Sequence, residues 1–135
     1  MATKIFVNLP VKNLDQSVAF FTQLGFKFNP QFTDENATCM IVGEDISVML
    51  LVESYFRTFT PKPIADARKS TEVLLCLSCD SRAEVDAQVA KAVAAGGSTP
   101  NKAQDLGFMY QHGFEDLDGH LWELAYVDMS AFPKS

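Results

Sequence analysis

The chain contains few of the side chains that usually carry out catalysis, with only two histidines and three cysteines among its 135 residues. His112 follows Tyr110 at a spacing of two, which places both side chains on one face of a predicted strand. Together with Glu123 on an adjacent predicted strand, they could orient a ligand by hydrogen bonds or move a proton near neutral pH. The alternative is that this face is directed to solvent.

Glu123 lies among apolar neighbours in the predicted strand Leu121–Val127. A carboxylate in that setting could act as a general acid or base, anchor a ligand, or pair with a polar side chain of the neighbouring strand. We favour the polar anchor because no second acid–base group clearly converges on it. Asp116, Asp118 and His120 are assigned to the turn before this strand, since aspartate bonds readily to nearby backbone N–H groups.

The three cysteines do not predict a disulfide framework, because their number is odd and fits a reducing compartment better. Cys76 and Cys79 form a C-x-x-C pattern inside a predicted strand, where this spacing directs the two side chains to opposite faces. No second pair completes a tetrahedral zinc site. We therefore expect buried structural thiols, Cys39 included.

The composition excludes several classes of function. A net charge of −6 argues against nucleic acid as a partner, because phosphate binding requires a basic surface. With 47% hydrophobic and 21% charged residues, the chain is typical of a globular protein and not of a disordered one. The longest apolar run, Ile46–Val52, is too short to span a membrane. No secretory leader pattern precedes the first strand, so the expected location is the cytoplasm.

The elements that position these residues occur twice in the chain. Asn13-Leu-Asp-Gln16 and Ser81-Arg-Ala-Glu84 are capping-box patterns that lie 68 residues apart. Each follows a predicted strand and begins an amphipathic helix, and each helix ends at glycine. Three short predicted strands follow each helix. Each half of the chain is therefore predicted to be one β-α-β-β-β unit.

These units predict an α+β fold, in which two tandem βαβββ units form curved mixed sheets around a cleft. Residues 1–135 would form a single domain, with unit 1 at about 3–53 and unit 2 at about 71–128. A crossover at 54–70 joins the units, and a short tail occupies 129–135. A short helix is expected near Ile64–Arg68. The aromatic crossover is interpreted either as a packed connection or as a lid.

Two motifs make the chain resemble the vicinal oxygen chelate superfamily, which includes glyoxalase I, extradiol dioxygenases, fosfomycin-resistance transferases and bleomycin-binding proteins. The opening motif, L-x-V-x-(D/N)-L-x-x-S-x-x-F-(Y/F)-x-x-L-G-F, is matched from Leu9 to Phe26. The closing motif, D-x-D-G-x-x-x-E, is matched from Asp116 to Glu123. The resemblance implies the paired fold, but this fold carries both enzymes and non-catalytic drug binders.

In metal-dependent members, the resemblance implies a divalent ion held by a histidine on the first strand of each unit and a glutamate on the last. The ion would polarise vicinal oxygens of the substrate. Carried onto this chain, those positions are Phe6 and Met49 in unit 1, and Leu74 and Glu123 in unit 2. Of these four residues, only Glu123 has a side chain that binds divalent metals. A register two residues earlier on the first strand of unit 2 would place Glu72 there instead of Leu74. We therefore expect no cofactor, and keep one divalent metal with Glu72 and Glu123 as the alternative.

The expected function is binding of a small organic molecule in an apolar cleft. The expected ligand-binding residues are Phe6, Met49, Leu74, Tyr110, His112 and Glu123. If the cleft is catalytic, the last three are the candidate catalytic residues. The resemblance also implies a homodimer, in which Phe6 and Glu123 of different subunits would be neighbours.

Two other functions remain open. One is a metal-dependent lyase or isomerase of the lactoylglutathione lyase type, with Glu72, Glu123 and His112 as a non-standard ligand set. The other is a structural or regulatory domain whose cleft is vestigial.

Overall fold

A computed structural model of the chain describes residues 3–131. The chain divides into two compact units, Met1–Asp66 and Ala67–Ser135, at a point inside the predicted crossover. Each unit contains one four-stranded mixed sheet, and the α+β class with tandem βαβββ units is confirmed. The predicted tail is described only as far as residue 131. Within the described range, no helix has the length and apolarity needed to cross a membrane.

Unit 1 has the strand order β1-β4-β3-β2. Strands β1 and β4 are parallel, whereas the β4–β3 and β3–β2 pairs are antiparallel. The elements are β1 Ile5–Val11, α1 Leu14–Gln23, β2 Lys27–Asn29, a 3-10 helix Pro30–Phe32, β3 Ala37–Gly43, β4 Ile46–Val52, α2 Glu53–Phe56 and a second 3-10 helix Arg57–Phe59.

Helix α1 begins where the capping pattern predicts. The Asn13 side chain accepts a hydrogen bond from the backbone N–H of Gln16, at 3.0 Å, and so satisfies one of the unpaired donors of the first turn. Phe20 and Phe21 are buried, and their rings meet edge to face. The sequence periodicity predicts Leu14, Val18, Phe21 and Leu24 as the core-facing stripe, and all but Val18 are buried. With Phe20 they face the core of unit 1, where Met40 and Leu50 are also fully buried.

Unit 2 repeats this topology with the strand order β5-β8-β7-β6. Its elements are β5 Leu75–Ser78, α3 Arg82–Ala94, β6 Gln104–Asp105, β7 Met109–Glu115, β8 Leu121–Val127 and a 3-10 helix Met129–Ala131. Strands β5 and β8 are parallel, and β8–β7 and β7–β6 are antiparallel. The two units therefore share both the order of their elements along the chain and the order of the strands within the sheet.

The core of unit 2 lies between α3 and one face of its sheet. Trp122 and Phe114 are fully buried there, and their rings stack with centroids 6.3 Å apart. The sequence periodicity predicts a buried stripe on α3 that includes Val85, Val89 and Val93. Val85 and Val89 are buried, whereas Val93 is exposed. One face of the sheet in unit 2 is thus committed to the core, which leaves the other face for a site.

Two predicted strand positions in unit 2 are wrong. The sequence predicts a first strand at Thr71–Cys79, yet only Leu75–Ser78 pairs with β8. It also predicts a strand near Ser98–Lys102, but the strand is the short β6, and Ser98 forms only an isolated bridge to Glu115. In both cases the strand is confined to the residues that pair with a neighbouring strand.

The helix expected near Ile64–Arg68 is also misplaced. The helical part of the crossover is instead α2 and the 3-10 helix that follows it. Glu53 and Arg57 form an ion pair there at 3.9 Å, and the Tyr55 and Phe59 rings meet edge to face. Both pairs have the i,i+4 spacing that stabilises a helical turn. Arg68 instead donates a hydrogen bond to the carbonyl oxygen of Leu117, so its side chain holds the turn before β8.

Candidate functional site

The sheet of unit 2 separates the predicted site residues onto two faces. In β7, Tyr110, His112 and Phe114 lie opposite Tyr126, Leu124 and Trp122 of β8, and this face packs on α3. Glu123 alternates with these core residues and therefore lies on the other face. Its direct neighbours are Cys76 on β5 and Gly113 on β7.

The predicted shared face of Tyr110 and His112 is confirmed, but Glu123 on the adjacent strand is directed to the other face and does not complete a set with them. Residues that pair directly across two strands share a face, and the partner of Glu123 is Gly113, not His112. Tyr110 instead donates a hydrogen bond to the Asp86 carboxylate on α3, at 2.6 Å. This bond, with smaller contributions from burial and nearby carboxylates, raises the pKa of Tyr110 above its ordinary value.

Arg82 further fixes Tyr110 against α3. The guanidinium lies over the Tyr110 and Tyr126 rings, 5.9 and 5.6 Å from their centroids. It also donates to the Gly107 carbonyl oxygen, at 3.0 Å. Tyr110 thus takes part in fastening the β6–β7 turn to the helix.

A pocket of about 110 Å³ opens beside Glu123. It is bounded by β7 and β8, by the segment that leads into β6, and by Leu74 ahead of β5. Of the predicted ligand-binding residues, Leu74, His112 and Glu123 line it, and Tyr110 does not. The full lining is Leu74, Pro100, Asn101, Lys102, Gln104, Gln111, His112, Gly113, Phe114, Leu121, Trp122 and Glu123.

Gly113 is the residue that the sequence analysis missed. A Cβ atom at this position would lie 2.7 Å from the Trp122 carbonyl oxygen, so no larger residue fits without movement of the backbone. Gly113 pairs directly with Glu123 across the two strands, and both residues line the pocket. The available signal was a glycine inside an otherwise regular strand, which often marks a close backbone approach or a ligand site.

His112 supports the wall of the pocket. Its Nε2 atom lies 2.9 Å from both the Thr99 Oγ1 atom and the Asn101 carbonyl oxygen. Thr99 in turn donates to the Gly113 carbonyl oxygen at 2.7 Å. These bonds attach the irregular segment before β6 to the edge of the sheet, so we assign His112 to positioning that segment.

Asp116 organises the turn between β7 and β8. One carboxylate oxygen accepts the backbone N–H groups of Asp118 and His120, each at 3.0 Å, and the other accepts the Trp122 indole N–H at 3.0 Å. Burial is the largest influence on this carboxyl group and raises its pKa. Gly119, with a positive φ of 89°, completes the turn in a conformation that glycine adopts readily. The predicted turn role of Asp116 is correct, and it also anchors the indole below the pocket.

Comparisons with known proteins agree with this geometry. Residues 3–43 match the bleomycin resistance protein-like N-terminal family. A solved structure of hypothetical protein SA1046 from S. aureus is 29% identical, with 93% of this chain and 95% of that chain covered and a TM-score of 0.79. A glyoxalase/bleomycin resistance protein/dioxygenase family enzyme from Burkholderia phytofirmans PsJN is 17% identical, with coverages of 93% and 99% and a TM-score of 0.80.

The genomically encoded fosfomycin resistance protein FosX from Listeria monocytogenes is 15% identical, with coverages of 97% and 98% and a TM-score of 0.67. No curated protein matches. The chain has the vicinal oxygen chelate fold. The N-terminal family match and the shared topology of both units agree with the resemblance seen in the two sequence motifs.

The strand registers show which residues of the two units occupy equivalent positions. Asn8 and Cys76 lie 68 residues apart on the equivalent strands β1 and β5, and they pair with Met49 and Glu123. Met49 is thus the counterpart of Glu123, as the carried-over motif implies. Phe6, on β1, is more than half exposed within the described part of the chain.

The residues at the carried-over positions do not fit a divalent ion. A phenylalanine, a methionine and a leucine offer it no oxygen or nitrogen donor, which leaves Glu123 alone. Glu72 is exposed, lies outside β5 and does not line the pocket. Across residues 3–131, no three His, Cys, Asp or Glu side chains form a cluster that could hold a metal. The alternative set of Glu72, Glu123 and His112 is therefore not brought together.

The three cysteines of this chain lie in different environments. Cys39 is buried as expected, but Cys76 is exposed, because it lies on the sheet face that α3 does not cover. Partial burial, followed by the Glu123 charge, raises the pKa of the Cys76 thiol. Burial and the carboxylates of Glu84 and Asp80 raise the pKa of Cys79 to about 11. Both thiols are thus held in the protonated form at neutral pH.

Proposed function

We propose that this protein binds a small organic molecule in the pocket of unit 2, without a metal ion. The observation that carries the proposal is the pocket beside Glu123, because it combines a volume of about 110 Å³ with a carboxylate that has no hydrogen-bond partner within the described residues. Leu74 and Leu121 supply apolar contact area, and Glu123 supplies an orienting polar group. Binding sites for small molecules have this combination of apolar walls and a few polar groups.

The chemistry of the lining favours binding over catalysis. Glu123 has no acid–base partner in the pocket, since the Nε2 atom of His112 is occupied by Thr99 and Asn101. Tyr110 lies on the other face of the sheet. Phe6 and Met49 belong to unit 1, and their contact with a ligand stays a prediction.

Protein-detected NMR with a library of small neutral fragments tests this proposal. Trp122, the single tryptophan, is one of the residues that border the pocket, so its indole N–H signal serves as the probe. We expect a subset of fragments to shift this signal, and Leu74→Phe to abolish the shift by filling the pocket. Leu106→Phe is the matched control, because Leu106 is an equally exposed leucine outside the lining. Fragments that bind without moving the Trp122 signal would contradict the proposal.

Metal independence is tested separately. Elemental analysis of the purified protein is expected to find no stoichiometric divalent metal, and a methylglyoxal–glutathione assay is expected to find no turnover. Stoichiometric metal that Glu123→Gln releases would instead support the lyase alternative. The implied homodimer stays a prediction that sedimentation velocity can test.

A further inference from the structure

Two opposite charges in the pocket lack partners within the part of the chain that the structure describes. Glu123 and Lys102 both line the pocket, and neither side chain takes part in a hydrogen bond or ion pair among residues 3–131. They also do not pair with each other. Of the lining residues, these two carry the full charges at neutral pH, since the remaining polar side chains are amides and one histidine.

The fold holds these charges apart. Glu123 lies on β8 and faces Gly113 on the neighbouring strand β7, while Lys102 lies beyond β7 in the segment that leads into β6. Adjacent strands are about 4.8 Å apart, so two such steps separate the backbones of Glu123 and Lys102 by on the order of 10 Å. Gly113, on the strand between them, lines the same pocket.

Neutral polar groups lie along the same wall. Gln111 and Gln104 pair across β7 and β6, and the Gln111 amide donates to the Gln104 amide oxygen at 3.0 Å. Each amide keeps further donor or acceptor capacity after this one bond. The pocket therefore presents a carboxylate, an ammonium group and a pair of amides around a hollow that is apolar at Leu74 and Leu121.

From this arrangement we infer that the ligand is a small zwitterion, whose cationic group binds Glu123 and whose anionic group binds Lys102. This inference rests on the proposed function, since it names the class of molecule that the same pocket takes. A volume of about 110 Å³ limits the ligand to on the order of ten non-hydrogen atoms. An amino acid with four to six bonds between its charged groups meets these limits of size and charge separation.

A matched series of six-carbon probes tests the inference. The zwitterion is 6-aminohexanoate, and its partners are hexylammonium, hexanoate and neutral 1-hexanol. Each is titrated at low salt while the Trp122 indole signal is followed. We expect 6-aminohexanoate to bind at least about threefold more tightly than either singly charged probe, since each partly exposed charge pair contributes modestly. Added salt should reduce this advantage.

Substitutions assign each charge to one end of the probe. Glu123→Gln should weaken 6-aminohexanoate and hexylammonium but not hexanoate, and Lys102→Met should weaken 6-aminohexanoate and hexanoate but not hexylammonium. Glu44→Gln and Lys91→Met are the matched controls, because both side chains are exposed and lie outside the pocket. Circular dichroism of each variant separates loss of binding from loss of folding.

The outcomes distinguish this inference from the proposed function. The inference of a zwitterionic ligand is wrong if the four probes bind with equal affinity, or if only fragments from the neutral library bind. In either case the proposed binding function still holds. If neither the probes nor the neutral fragments move the Trp122 signal, both proposals fail. A probe that shifts the signal equally in wild type and in both pocket variants also overturns the inference.

Discussion

The two units share strand order and register but differ in the row of residues that crosses the middle of each sheet. In unit 1 the residue opposite Met49 is Cys39, which is buried. In unit 2 a glycine takes the place of that cysteine, and a carboxylate takes the place of the methionine. The two rows, in strand order, are Asn8, Met49 and Cys39 in unit 1, and Cys76, Glu123 and Gly113 in unit 2.

This difference teaches that a duplicated scaffold can place different chemistry at equivalent positions of its two copies. The strand order is the same in both sheets, so it does not decide which side chains border a pocket. The residues at the equivalent positions differ instead.

The largest difference is expected between two aspartates that organise turns. Asp116→Ala in unit 2 leaves two backbone N–H groups and the buried indole N–H of Trp122 without their acceptor, and should cost about 3 kcal/mol. Asp34→Ala in unit 1 removes the acceptor for the N–H groups of Asn36 and Ala37 but for no buried side-chain donor, and should cost about 1 kcal/mol. Urea denaturation measures both values, and equal costs would show that the buried indole bond contributes little.

Two strand glycines give the next largest difference. Gly113→Ala should reduce the unfolding free energy by about 2 kcal/mol, because the new methyl group would overlap the Trp122 carbonyl oxygen. Gly43→Ala is the control, since its Cβ would meet only ordinary contacts with Ile46 at 3.6 Å or more. We expect Gly43→Ala to change stability little. If Gly113→Ala is equally mild, the backbone of β8 adjusts and the glycine is not required.

Asp116 should also give unit 2 a distinctive dependence on pH. Burial raises its folded pKa above the unfolded value of about 3.9, so the folded state binds this proton more tightly. The resulting stabilisation is fully present below pH 3.9 and is lost as pH rises through the folded pKa. The stability of wild type relative to Asp116→Asn should therefore increase as pH falls. A carboxyl-carbon NMR titration of Asp116 that gives an ordinary pKa would contradict this expectation.

The smallest effects concern the cysteines. Iodoacetamide should modify the exposed Cys76 before the buried Cys39, and Cys79 should stay slow until the pH approaches its pKa of about 11. Glu123→Gln removes the smaller of the two influences that raise the pKa of Cys76, so alkylation should accelerate by less than about tenfold. Mass spectrometry of tryptic peptides measures each rate. No change at Cys76 would place its thiol outside the influence of the Glu123 charge.

Local signals predicted most of the scaffold. Asn13 and Ser81 accept the N–H groups of Gln16 and Glu84 as the capping patterns require, because a cap depends on residues only three positions apart. Strand β8 begins and ends where predicted, since its alternation is bounded by a turn. The ends of β5 and β6 were wrong because a strand extends only as far as its partner supplies hydrogen bonds.

The candidate site was predicted in part. Leu74, His112 and Glu123 do line one pocket, but Tyr110 does not, and His112 holds a backbone segment with its Nε2 atom. Alternation along one strand shows which residues share a face of that strand. It does not show which residues of the next strand lie on the same face, because pairing register is set between strands.

The amino-acid sequence alone determined the duplicated unit, the strand and helix types, and the loss of ligating side chains at all but one carried-over position. These properties follow from local periodicity, capping and residue chemistry. Only the tertiary structure decided that Gly113, not His112, lies opposite Glu123, and that Glu123 and Lys102 line one pocket. The reason is physical: a pocket is space left between residues distant in sequence, and register and packing alone decide which residues border it.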